Sequence, residues 1–108
     1  MKRDRHGAFW DLAAPYLASG ACDEGTIMGG PCLRTKGEFV AMFWQRGGGL
    51  VVKLDEQRVR AHLSDGVAMP FAPAGRVFRE WLVVPETAVD LWPEVLDEAV
   101  ALALARAK

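Results

Sequence analysis

The residues of this chain that could carry out chemistry are two cysteines, two histidines and scattered acidic side chains. Cys22 and Cys32 match neither the C-x-x-C redox motif nor a zinc-ligand spacing. His6 and His62 lie far apart, and neither belongs to a serine or cysteine nucleophile motif. These patterns predict no metal, no cofactor and no catalytic residue. The two thiols are expected to be small, half-buried side chains in a reducing compartment, with a disulfide or redox pair as the alternative.

The segment EGTIMGGPCLRTKGEFVAMF, at positions 24–43, is rich enough in glycine to raise the question of phosphate binding. A Walker A loop requires G-x-x-x-x-G-K-[ST], because its lysine reaches the phosphates and its hydroxyl holds magnesium. Here the order of lysine and threonine is reversed, and a strand-like segment follows instead of a helix. We therefore interpret Gly29, Gly30 and Pro31 as a structural bend, where a strand can bulge and another backbone can approach closely.

Tryptophan is frequent in this chain, at positions 10, 44, 81 and 92. Most of these side chains are expected to pack in the core or on a sheet face, because each buries a large apolar area. The alternative is an exposed strand face on which a ligand or a partner stacks. Trp44 and Trp81 are the best candidates for such a face, since polar or charged residues flank them. Phe71 and Arg79 complete this candidate ligand or partner surface.

Composition restricts the classes of function. Thirteen basic and fourteen acidic residues leave a net charge of −1, whereas proteins that bind duplex DNA usually carry a basic excess. Nucleic-acid binding is therefore disfavoured. No apolar run approaches the ~20 residues of a membrane span, and the charged start lacks the apolar core of a signal peptide. The chain is expected to be cytoplasmic and to make no membrane contact.

The first half of the chain predicts one helix and three strands. An apolar stripe from Phe9 to Leu17 has helical spacing, and Pro15 predicts that the helix ends near Ala14, or kinks there and closes before Gly20. The three predicted strands, joined by tight turns at TKG and QRGGG, are TIMGGPCLR, EFVAMFW and LVVKL. Because parallel neighbours would need a long crossover, these short connections indicate an antiparallel meander.

The second half predicts two further helices around one or two strands. Asp55 is suited to cap a helix over residues 56–65, and Gly66 is suited to follow it. The segment RVFREWLVV predicts a strand that ends at Pro85, and an alanine-rich helix follows Trp92. Together these elements predict a single α+β domain over residues 1–108, with helices packed on an antiparallel sheet in the order α-β(3)-α-β(2)-α.

Four segments in this order resemble the N-terminal domain of the TfoX (Sxy-like, competence-regulator) family. GTIMGGPCLRTKGEFVAMF resembles its M-F-G-G-x-G-L stretch and following strand, and LVVKLDEQRV resembles its L-Y-L-K-x-D segment. MPFAPAGRVFREWLVVP is similar to its P-F-x-x-x-G-R and V-P segments, and WPEVLDEAVALALA to its closing alanine-rich helix. The resemblance covers about residues 9–107.

The resemblance implies the element order α-β(3)-α-β(2)-α, frequent dimerisation and a relationship in shape to YjbR-like domains. It implies no catalytic residues. The chain is therefore expected to be a non-enzymatic interaction or regulatory module that acts through protein contacts, in transcriptional or competence regulation, with a homodimer or another protein as partner. The alternative is a small-ligand-binding domain with a pocket between the sheet and the helices, lined by Trp44, Phe71 and Trp81.

Overall fold

The structure, a computed structural model, describes residues 4–28, 30–44 and 47–107, with the side chains of the first helix described from Gly7 onward. Short 3-10 turns at Pro73–Gly75 and Glu86–Leu91 complement the regular elements. No helix within this described part is long and apolar enough to cross a membrane. The regular elements in chain order are α1 (Asp4–Ser19), β1 (Asp23–Ile27), β2 (Gly30–Thr35), β3 (Glu38–Trp44), β4 (Gly49–Lys53), α2 (Glu56–Ser64), β5 (Met69–Phe71), β6 (Phe78–Val84) and α3 (Trp92–Arg106).

All six strands belong to one antiparallel sheet with the strand order β1-β2-β3-β4-β6-β5. The predicted α+β class, with helices packed on an antiparallel sheet, is confirmed. The element order is α-β(4)-α-β(2)-α, which has one strand more than predicted. Lys36 (φ 50°) and Gly37 (φ 88°) form the predicted tight turn between β2 and β3, as in two-residue hairpins.

The additional strand arises from the segment that the sequence predicts to be one strand, TIMGGPCLR, and from the three residues before it. β1 and β2 form a hairpin in which Ile27 pairs with Gly30, and Met28 between them has a left-handed φ of 52°. The prediction of a single strand at TIMGGPCLR is therefore wrong, since the chain reverses direction within it. Gly30 and Pro31 open β2 directly after this turn, and Gly29 lies outside the described residues.

The first helix continues through Pro15, so the predicted end near Ala14 is wrong. A proline removes one backbone hydrogen bond, here the bond to the carbonyl of Asp11. Pro15 and Asp11 are both exposed, and water can therefore bind that carbonyl. Phe9 and Ala13 are fully buried, and their packing against the sheet stabilises the helix despite the lost bond.

The predicted boundaries of the second and third helices are close to the observed ones. The Asp55 carboxylate caps α2 by accepting a hydrogen bond from the Arg58 amide at 2.9 Å, and Gly66 (φ 82°) follows the helix. Trp92 opens α3, as predicted, and its indole nitrogen donates to the Val84 carbonyl oxygen at 3.1 Å. This bond joins the start of α3 to the end of β6.

The sheet separates two apolar clusters. The helices contribute to the larger one, in which Leu50, Val52 and Leu54 of the third predicted strand share a face, as expected. A bulge in the pairing of β2 with β3 places Val40 and Ala41 on that same side, after which alternation resumes. The smaller cluster, on the face away from the helices, contains Cys32, Phe39, Met42, Val51, Phe71 and Val83, with Ile27, Trp44, Phe78 and Trp81 packed against it.

Candidate binding groove

The sheet face away from the helices carries a cluster of aromatic side chains. The Trp81 ring stacks on Phe39, with centroids 4.2 Å apart and planes at 11°, and on Phe71, with centroids 5.3 Å apart and planes at 22°. Trp44 meets the edge of Phe71 at 4.8 Å, and Phe78 contacts both Phe71 and Trp81. Such ring contacts add to the stabilisation that apolar burial provides.

Trp44 and Phe71 meet across the sheet. Trp44 lies on β3 and Phe71 on β5, and β4 and β6 run between them. Neighbouring strands are about 4.8 Å apart, so a flat sheet would separate β3 and β5 by roughly 14 Å. The two large side chains extend toward each other across the intervening strands, and their ring centroids are 4.8 Å apart. This contact joins β3 to β5 on the aromatic face.

A cavity of about 590 Å³ opens at one end of this aromatic face. We call it the Trp44 groove. It lies between the β1–β2 turn, the end of β3 and the segment from the 73–75 turn to the start of β6. These three walls contribute, among others, Met28 and Pro31, Met42 and Trp44, and Ala74, Arg76 and Phe78.

Two residues at the rim of the Trp44 groove have a backbone conformation that L-residues rarely adopt. Met28 has a φ of 52° and Ala74 a φ of 57°. Met28 and Lys36, the third non-glycine residue of this kind in the described part of the chain, each lie in a two-residue hairpin turn, where this conformation is ordinary. Ala74 lies outside a two-residue turn, and left-handed conformations of that kind cluster at ligand sites. The side chain of Met28 is also 52% exposed, although it is apolar.

The charge on the described lining of the Trp44 groove is positive. Arg76 is the only charged residue among the described residues that line it. Its side chain is exposed, and it makes no hydrogen bond or ion pair with the described residues. Of the other described arginines, Arg34 donates to two backbone carbonyls and Arg58 pairs with a carboxylate, whereas Arg79, outside the groove, likewise makes no ion pair with the described residues.

The four residues predicted as a ligand or partner surface lie in different surroundings. Trp44, Phe71 and Trp81 belong to the aromatic cluster on the face away from the main core. Trp44 lines the groove, whereas Phe71 is only 1% exposed and belongs to the core beneath it. Trp81 and Arg79 line a second cleft, of about 350 Å³, between α2 and the β5–β6 edge. The structure therefore does not gather the three rings into one pocket between the sheet and the helices; Trp81 alone of the three lines a cleft beside a helix.

Sequence patterns alone do not identify Arg76, Met28 and Ala74 as groove residues. The available signal is the proline-punctuated segment MPFAPAGR, which ends in an arginine and which by itself indicates only a loop. The β1–β2 turn lies far from that loop in sequence, and only the tertiary structure brings the two segments to one cavity. The second predicted turn, at QRGGG, includes Gln45 and Arg46, which lie outside the described residues.

The two cysteines lie on opposite faces of the sheet. Cys22 belongs to the core beneath the helices and Cys32 to the aromatic cluster, and both thiols are free. Both are fully buried, which raises the pKa of each thiol. The Thr35 hydroxyl lies 3.5 Å from the Cys22 sulfur and opposes that effect. Buried, protonated thiols of this kind behave as small apolar side chains.

His62, Arg58 and Glu98 form a link between α2 and α3. Glu98 on α3 meets His62 Nε2 at 3.0 Å and also pairs with Arg58, which ties α2 to α3. Burial by itself would raise the pKa of Glu98, but hydrogen bonds from Arg58 and His62 outweigh it and lower the pKa. Among the described residues, no group of three or more histidines, cysteines and carboxylates has a metal-binding arrangement. The side chain of His6 lies outside the described residues.

The fold and the groove together define an α+β domain with helices on one sheet face and an apolar cavity on the other. No family model, curated protein or solved structure gives a significant match to the chain. The resemblance to the TfoX N-terminal domain therefore stays a prediction, and the function is inferred from the geometry and chemistry of the groove.

Proposed function

We propose that this chain is a non-enzymatic interaction module of the TfoX N-terminal type, which acts in regulation by binding a protein partner in the cytoplasm through the Trp44 groove. The observation that carries this proposal is an open, largely apolar cavity of about 590 Å³ on the sheet face that the helices leave uncovered. Open apolar surfaces with a few polar groups at their rim are typical of binding sites.

The exposure of apolar side chains supports contact with a partner. Met28 projects from the rim with 52% of its surface exposed, and Met69 on the edge strand β5 is 47% exposed. Methionine adapts its shape to the surface it meets, and it is frequent at binding sites for this reason. A partner that inserts an apolar side chain into the groove would cover Met28 and the exposed part of Trp44 together.

A second copy of the chain is one partner that fits this proposal, since the resemblance implies dimers. Light scattering coupled to size-exclusion chromatography tests it directly. We expect a dimer for the unaltered chain and a monomer for Met28→Asp, because a carboxylate at the rim would be desolvated in the interface. A monomer at high micromolar concentration for the unaltered chain would remove the homodimer from the proposal.

Site-specific photocrosslinking tests contact with other proteins. A benzophenone amino acid replaces Met28 in one variant and Leu104 in a control, since Leu104 is an apolar residue of α3 that is 40% exposed. We expect a discrete covalent adduct from position 28 in cells of the source organism and none from position 104. Adducts that are absent or equal at the two positions would contradict a role for the groove in protein contact.

A small-ligand-binding domain is the second candidate, and the size of the cavity favours it. Ligand pockets usually measure about 300–1,000 Å³ and have mostly apolar walls with a few polar groups. The Trp44 groove, at about 590 Å³, falls within this range and combines aromatic walls with one arginine. A ligand held there would contact Trp44, whose indole N–H provides a signal for nuclear magnetic resonance.

A further inference from the structure

We infer that the Trp44 groove binds a small aromatic carboxylate, with its ring against Trp44 and Phe78 and its carboxylate paired with Arg76. This inference rests on the second candidate function, a small-ligand-binding domain. It assigns the chemical class of the ligand, which neither the fold nor the size of the cavity specifies.

The walls of the groove favour an aromatic body. Trp44 and Phe78 present aromatic rings, and Met28 and Met42 present thioether side chains. Aromatic rings attract one another in stacked or edge-to-face arrangements, and sulfur makes favourable contacts with ring edges. Trp44 and Phe78 are partly buried, so part of each ring remains accessible to a ligand. Met42 is 4% exposed and forms the floor beneath the more exposed Met28, Trp44 and Phe78.

The charge of the groove favours an anion. Arg76 is its only charged residue among those described, and no described carboxylate lies in its lining. Arg58, Arg60 and Arg106 each pair with a glutamate, whereas Arg76 has no such partner in the described part of the chain. A guanidinium binds a carboxylate through two parallel hydrogen bonds. The unpaired guanidinium beside an apolar cavity therefore complements a carboxylate attached to an apolar ring.

The backbone before Arg76 is ordered in a way that fixes the position of its Cα atom at the rim. The Arg76 amide donates to the Pro73 carbonyl oxygen at 3.4 Å, and the Gly75 amide donates to the Ala72 carbonyl oxygen at 3.2 Å. Pro73 has a restricted φ, and Ala74 holds its left-handed conformation within the same turn. A ligand therefore needs to order only the side chain of Arg76, which reduces the entropic cost of binding.

The test compares 2-naphthoate with its neutral amide, 2-naphthamide, because the two probes share one ring system and differ in charge. Two-dimensional ¹H–¹⁵N spectra follow the indole resonance of Trp44, which the variant Trp44→Phe assigns. Arg76→Gln removes the charge at the groove. Arg79→Gln is the matched control, because Arg79 is exposed and lines the second cleft.

We expect 2-naphthoate to shift the Trp44 resonance, and Arg76→Gln to raise its Kd about tenfold, as loss of a charge-assisted hydrogen bond does. Arg79→Gln should leave the Kd of 2-naphthoate unchanged. The amide should bind weakly, with the same Kd for the unaltered chain and for both variants. If 2-naphthoate and 2-naphthamide shift the Trp44 resonance with equal Kd, and Arg76→Gln changes neither Kd, the inference is overturned. The small-ligand candidate would then still stand. If neither probe shifts the Trp44 resonance at millimolar concentration, both the inference and the small-ligand candidate are overturned.

Discussion

Trp44 and Phe71 meet edge to face with ring centroids 4.8 Å apart, although two other strands lie between β3, which carries Trp44, and β5, which carries Phe71. The contact joins β3 to β5 on the sheet face away from the helices. Trp44 also forms part of the wall of the groove, between the β1–β2 turn and the 73–75 turn. Phe71, which is buried beneath the groove, is therefore expected to support the position of Trp44 in that wall.

Phe71→Ala tests the contribution of this contact to stability. Phe71 is 1% exposed and touches three aromatic rings, so we expect its loss to lower the free energy of unfolding by about 3–5 kcal/mol. Urea denaturation followed by circular dichroism measures the change. Met69→Ala, on the same strand but 47% exposed, should change it by less than about 0.5 kcal/mol. Similar losses for both variants would show that Phe71 has no special role.

Thr35→Val tests a buried polar contact at the end of β2. The Thr35 side chain is 1% exposed, and its hydroxyl donates to the Ala21 carbonyl oxygen at 2.9 Å. Valine has a similar shape but cannot donate, so we expect a loss of about 1–3 kcal/mol because a partly buried carbonyl loses its partner. Thermal unfolding measures the effect, and Thr26→Val at an exposed strand position serves as the control. A negligible effect at Thr35 would mean that water replaces the lost donor.

Gly49→Ala tests the close packing of β4 against β6. A Cβ atom at this position would lie 2.9 Å from the Val84 carbonyl oxygen and 2.9 Å from a methyl carbon of Val83. Backbone atoms cannot withdraw easily, so we expect a loss of about 1–3 kcal/mol. Gly7→Ala in α1 is the control, because a Cβ there has nothing within 4 Å and should raise helix stability by about 0.5–1 kcal/mol. Equal, small effects on the urea midpoint would contradict the crowding at Gly49.

The pH dependence of stability should reveal the Glu98 link between α2 and α3. Because the pKa of Glu98 is lowered in the folded state, the unfolded state binds its proton first as the pH falls. The resulting stabilisation is present above the ordinary glutamate pKa and disappears as the pH falls through the lowered value. We expect Glu98→Gln to lower the urea midpoint at pH 7 and to converge with the unaltered chain under acidic conditions.

The control for this prediction is Glu24→Gln, since Glu24 is exposed and makes no ion pair with the described residues. Its urea midpoint should follow that of the unaltered chain at every pH. A difference between Glu98→Gln and the unaltered chain that stays constant from neutral to acidic pH would contradict the electrostatic explanation and indicate a packing effect.

The features that the sequence predicts correctly depend on neighbours along the chain. Asp55 caps α2 through an amide three residues away, and Lys36 and Gly37 form a hairpin turn from their own backbone preferences. The stripe of Leu50, Val52 and Leu54 follows from the alternation of side chains in a strand. From such local signals the α+β class and the antiparallel sheet could be predicted.

The tertiary structure decided the features that depend on residues distant in sequence. α1 continues through Pro15 because burial of Phe9 and Ala13 outweighs one missing hydrogen bond. Trp44, Phe71 and Trp81 lie on the face away from the helices, a choice that periodicity alone leaves open because both sheet faces are apolar here. Arg76 and the β1–β2 turn line one groove although they are distant in sequence. Local propensity specifies the elements, whereas the groove depends on long-range packing that no short segment encodes.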